Sequence, residues 1–197
     1  MEWKINDFID DGKIVFVSNA IIQNIGGKYS FISNLKKYDF NNYTGDRLIE
    51  VLKLVKLDEN VLNHRHYTDI EKKKLNLAYY LLKQSKVLVF DHFFNKMNKN
   101  EVKYFIRFFR ELIYRKRINI VCLEDDLNII SEYAKSFYLF YDDNYHLIDN
   151  FYDDNIYKYV KMPYTVKCIK LLESKGHVVD HEFTFDEVLK AIYRSVV

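Results

Sequence analysis

Three short apolar runs, set apart by stretches of helical periodicity, constrain this chain more than any other feature. They are residues 86–90 (KVLVF), 118–122 (INIVC) and 136–140 (SFYLF). Each is a near-continuous hydrophobic run, as a strand covered on both faces requires. Between the first two, a long helix is expected to open at Asn100, with Val102, Phe105, Ile106, Phe109, Leu112 and Ile113 on one stripe. Between the second and third, residues 127–134 read as a short helix. Strand, helix, strand, helix, strand predicts a parallel sheet in an α/β fold.

The flanks extend the pattern. KIVFV (residues 13–17) after Gly12 reads as another buried strand. Thr44 is placed to cap a helix that puts Leu48, Val51, Leu52 and Val55 on one face. Thr68-Asp69-Ile70-Glu71 has capping-box spacing, and the helix after it aligns Leu75, Ala78, Tyr79 and Leu82. Asp142-Asp143-Asn144 marks a turn whose second arm returns as a hairpin. After about residue 150 the pattern is helical. Pro163 suits the first turn of a helix through Leu172 that Gly176 ends. Thr184 and Glu187 repeat the capping-box spacing before Val188, Ala191 and Ile192.

Composition narrows the function. A 49% hydrophobic content with a formal charge of +2 excludes wholesale disorder and a global basic field for nucleic acid. Five Gly and one Pro argue against glycine-rich phosphate cradles and Pro-rich linkers. Cys122 and Cys168 lie in apolar strings without CxxC or zinc spacing, and both are expected as buried thiols in a reducing compartment. No secretory leader is expected, because MEWKINDFIDD is acidic. No uncharged run approaches the roughly 18–20 apolar residues of a membrane span. His64-Arg65-His66 reads as an exposed loop, and Asp142-Asp143 and Asp153-Asp154 as turns, none with metal-ligand spacing. YFIRFFRELIYRKR (residues 104–117) mixes aromatic and basic groups, but its apolar residues fall on one stripe and Glu111 interrupts the basic face. That reads as a core helix with a solvated face.

From residue 67 to 140 the order of parts resembles the ATP-binding cassette (ABC) ATPases. YTDIE followed by KKKLNLAYYLLKQSKVLVFDHF has the spacing of the family's LSGGQ/E signature running into RALLxxPKVLILDEP. INIVCLEDDLNIISEYAKSFYLF is similar to the strand ending in THD and the helix and strand beyond it. VLKLVKLDENVL resembles the preceding ALELVGLEE segment. The tail, MPYTVKCIKLLESKGH and FTFDEVLKAIY, is similar to the C-terminal extension of energy-coupling-factor (ECF) transporter ATPases. The resemblance covers about residues 44–197.

It implies a truncated P-loop NTPase core, ABC ATPase-like, with three layers, a mostly parallel sheet and a small C-terminal helical appendage. Residues 1–149 would form a degenerate cassette domain, with 29–66 a remnant of its helical subdomain, and 150–197 the ECF-type extension. It also implies vestigial site positions. Asp91 matches the Walker B Asp, which in the family holds Mg²⁺ through water, while His92 replaces the catalytic Glu and Phe93 the following Pro. Asp125 stands at the switch-His position beside Asp126, and Asn98 at the D-loop Asp. Thr68 and Glu71 keep signature positions where Asp69 and Ile70 replace glycines. An Asp there competes with phosphate for the positive end of the helix.

No GxxxxGK[ST] phosphate cradle exists. Residues 13–28 allow two alignments. In one, Gly27-Lys28 ends a Walker A remnant, with Ile22 at the first Gly and Tyr29 at the Ser/Thr. In the other, which continues without a large deletion, Ser18 replaces the Q-loop Gln while Asn19 and Gln23 are kept. Either way ATP and Mg²⁺ binding is expected to be weak or lost.

The expected role is a non-hydrolysing structural or regulatory partner in an ECF-type micronutrient transporter. Its partners would be an intact ABC ATPase subunit and a transmembrane subunit, or a second copy of itself, at the cytoplasmic face of the membrane. The alternative is a repurposed cassette remnant serving as a protein- or nucleic-acid-interaction module.

Overall fold

The structure, a computed structural model, describes residues 3–9, 12–20, 25–26, 30–32, 40, 43, 45–179 and 185–196. In chain order the elements are β1 (Trp3–Lys4), β2 (Ile14–Ser18), β3 (Ile25–Gly26), β4 (Ser30–Ile32), α1 (Asp46–Leu54), α2 (Asp69–Leu82), β5 (Val87–Asp91), α3 (Lys99–Lys116), β6 (Asn119–Leu123), α4 (Leu127–Tyr133), β7 (Phe137–Tyr141), β8 (Asn144–Ile148), α5 (Tyr164–Ser174) and α6 (Phe185–Val196). The result is a mixed α/β fold with a mostly parallel sheet. The chain divides into two compact units, one drawn from residues 2–14 and 23–123, the other from residues 1, 15–22 and 124–197.

In the first unit β4, β5 and β6 run parallel, with Val89 facing Phe31 on one side and Val121 on the other. Leu88, Val89 and Phe90 are fully buried, as the apolar run requires. The stripe of α3 supplies Phe105 and Phe109 to an aromatic cluster. Phe90 stacks on Phe109 at 4.4 Å, and Phe93 meets Phe105 edge-on at 5.1 Å. Phe93, at the position where the resemblance expects Pro, is thus a core residue. Lys74 is nearly buried on α2, with its ammonium 3.4 Å from Glu101.

In this unit two helix starts differ from expectation. Asn98, not Asn100, opens α3: its side chain accepts from the Glu101 amide, and Glu101 reaches back to the Asn98 backbone. The N-cap of α1 is Gly45, at φ 78°, where an L side chain would be strained. Thr44, like Ile22, Gln23, Gly27, Lys28, Tyr29 and Thr184, lies outside the described residues.

In the second unit β2 pairs parallel with β7, and β7 pairs antiparallel with β8. The hairpin joins Tyr141 to Asn144 through Asp142 (φ 49°) and Asp143 (φ 57°). Both central residues at positive φ make a type I′ turn, whose twist matches the strands it joins. Pro163 stands at the N-cap of α5 rather than inside its first turn, and Gly176 follows the helix at φ 87°. Ile169 on α5, Val179 and Val188 on α6 form a buried cluster with Tyr152, Leu172 and Ile192 against it. The two tail helices therefore cover part of each other's apolar faces. Lys170 pairs with Asp154 and donates to the Tyr152 carbonyl (3.0 Å). Cys122 is buried as expected, but Cys168 is exposed. The stripe of α5 passes through Val166 and Ile169, which leaves position 168 off it.

Candidate functional site

The positions singled out by sequence fall into two groups, one in each unit. In the first unit they sit where α2 begins and β5 ends. Thr68 is the N-cap of α2. Its hydroxyl oxygen accepts from the Glu71 amide (3.2 Å), and its own amide donates to the Glu71 carboxylate (2.7 Å). The Thr68 amide, which contributes most, and the Thr68 hydroxyl, which donates to the same carboxylate at 2.9 Å, hold the Glu71 carboxyl below its ordinary range. His64 lies 3.5 Å from the same carboxylate, which ties the His64-Arg65-His66 loop to the cap.

Asp69 points from the first helical position, and Lys96 lies 2.5 Å from its carboxylate. That hydrogen bond and charge hold the Asp69 carboxyl below its usual range, with Lys72 adding to the field. The N-terminal end of α2 is thus already paired with charges of this chain.

Asp91 closes β5, and its ladder continues one residue further, the His92 amide donating to the Leu123 carbonyl (2.9 Å). His92 then turns into the left-handed region at φ 46°. That turn brings its Nδ1 to 2.7 Å from Asp91 Oδ1. A carboxylate only accepts, so Nδ1 carries the proton. The loop beyond is held from α2. Lys73 Nζ donates to the carbonyls of His92 (2.6 Å), Phe93 (3.1 Å) and Asn95 (3.1 Å), meeting all three donors of an ammonium. Asn98 caps α3.

In the second unit, Ser18 ends β2 and is fully buried. Asp125 Oδ1 accepts from the Asn19 amide (2.7 Å) and lies 3.4 Å from the Ser18 hydroxyl. Glu124 is buried beside it and accepts from the amides of Asp125 (3.1 Å) and Asp126 (3.2 Å). The Glu124 amide donates to the Val17 carbonyl (2.9 Å), and Asp126 caps α4 through the Asn128 amide. This edge binds its own backbone amides.

The structure thus brings together Asp91 with His92, Thr68 with Glu71, and Ser18 with Asp125. Sequence reasoning missed Lys73, Lys96 and Glu124. Among the described residues no group of three His, Cys, Asp or Glu is arranged to hold a metal ion. None of their helices is long and apolar enough to cross a membrane.

No family model and no curated protein matches this chain. Solved structures do match in fold. The dimeric structure of MJ0796, a bacterial ABC transporter cassette, superposes with a TM-score of 0.54 at 13% identity, covering 72% of this chain and 87% of that one. The same cassette in a post-hydrolysis state with ADP and Pi gives the same values. An ABC transporter in an inward-facing conformation gives 0.53 at 10% identity, covering 72% and 73%. In backbone course, this chain is similar to the ATP-binding cassettes of ABC transporters.

Proposed function

We propose that the chain is a cassette-like subunit that does not hydrolyse ATP and that pairs with an intact cassette and a membrane-embedded subunit of an ECF-type transporter. The observation that carries this reading is the Asp91–His92 contact. The carboxylate at the Walker B position is engaged by the imidazole that stands where a catalytic base is needed. The contact commits an oxygen of Asp91 to the imidazole of its neighbour.

The residues present do not fit a magnesium nucleotide. The sequence has no Walker A loop to wrap phosphates in backbone amides. The α2 N-terminus carries a carboxylate, Asp69, that repels them. Asp125, which the resemblance places at the switch position, accepts the Asn19 amide on Oδ1. These contacts are what a scaffold makes of former chemical positions. The pairing role draws support from the tail's resemblance to ECF extensions and from the dimer that a cassette of this fold forms.

Co-expression with an intact ECF-type cassette and its transmembrane subunit tests the partners. Leu189 and Tyr193 are exposed on α6. Wild-type chain should co-purify with both, and Leu189→Glu with Tyr193→Glu should weaken that recovery while the chain stays folded. Recovery of neither subunit with wild type would refute the assignment.

A further inference from the structure

The first unit holds a cavity of about 430 Å³ at the end of the strands opposite Asp91. Leu112 of α3 and Ile118 before β6 are buried beneath it, and Val51 of α1 and Leu81 of α2 form its walls. At about 30 Å³ per water-sized group it has room for roughly fourteen such groups, enough for a chain of about eight to ten carbons and its head. Three cations line it, Arg47, Lys86 and Lys116, against one acid, Glu50.

The cations are not all explained by the fold. Lys116 sits in the last turn of α3, where the carbonyl end attracts it. Arg47 lies in the first turn of α1, the wrong end for a cation. It donates one N–H to the Leu82 carbonyl (3.3 Å) and keeps others for a further acceptor. Lys86 precedes β5 and belongs to no helix. Neither Lys86 nor Lys116 forms an ion pair with a described residue.

We infer that this cavity binds an amphiphilic anion, an aliphatic chain carrying a carboxylate head. The apolar floor disfavours a bare phosphate, and the cations disfavour a neutral lipid. The site lies away from the Asp91 edge and does not depend on the reading given under Proposed function.

Calorimetric titration of the full chain with monomeric decanoate, decanol and acetate tests it. Decanoate should bind saturably at one per chain, while acetate and decanol bind far more weakly. Lys86→Glu with Lys116→Glu changes only exposed side chains and should weaken decanoate about tenfold, the effect of removing charge-assisted contacts. Val51→Trp fills the cavity and should abolish binding, with circular dichroism confirming the fold. The free acid is separated from a bilayer lipid by sedimentation with phosphatidylglycerol vesicles. Vesicle binding without saturable decanoate binding would overturn the site. So would decanol binding as tightly as decanoate, or decanoate affinity unchanged in both variants.

Discussion

Lys73 donates to three carbonyls in the turn after β5, which lie 19 to 22 residues away in sequence. Removing it leaves those carbonyls short of a donor beside a left-handed His92. Lys73→Met is expected to cost about 2 kcal/mol, the scale of hydrogen bonds to a charged group. Urea unfolding measures this, and hydrogen exchange should rise at residues 92–96. The pair Asp69 and Glu71 adds a pH dependence. Both carboxyls are held below their ordinary values, Asp69 by Lys96 and Glu71 by Thr68. Their contribution to stability is therefore complete above the ordinary values, about 3.9 for Asp and about 4.3 for Glu, and is lost as pH falls through the lower folded values. Glu71→Gln should flatten the acid limb of a Tm-against-pH curve below about pH 4.3. An acid limb as steep as wild type would show that the cap carries no linkage. The Thr68–Glu71 box was legible because its signal is a four-residue spacing. Lys73 and Lys96 were not, because nothing local marks a lysine whose partner lies 19 to 27 residues away.

At the scale of elements, the buried strands were legible to within a residue, since KVLVF and INIVC have no polar face to present. Helix starts were read less well. The Asn98–Glu101 pair has the same spacing as Thr68–Glu71, so the signal that places the start of α3 is present in the sequence. Cys168 shows the converse error: an apolar string suggested burial, while the helical stripe through Val166 and Ile169 turns it outward. Cys168 should react with a maleimide in the native chain, and Cys122 only on unfolding, because access governs thiol reactivity. Mass spectrometry of singly labelled protein distinguishes the two. Modification of Cys122 at the native rate of Cys168 would contradict the burial of β6.

For the whole molecule, the order of parts carried more information than any motif. The α/β pattern and the cassette resemblance agree with the fold of ABC transporter cassettes at identities of 10–13%. At that distance the catalytic letters can change while the apolar periodicity that builds the sheet persists. What the sequence could not show is the contacts these residues make: Phe93 in the core, Asp125 as an acceptor for the Asn19 amide, Asp69 as the partner of Lys96. The proposal of a cassette kept for its surfaces rather than its chemistry rests in part on these contacts. Magnesium-dependent ATP turnover of the full chain, measured beside Asp91→Ala, addresses that claim most directly. The account predicts that both proteins stay at the same background and that His92→Glu does not raise it, since the phosphates still lack a cradle. Turnover in the wild-type chain that Asp91→Ala abolishes would contradict it.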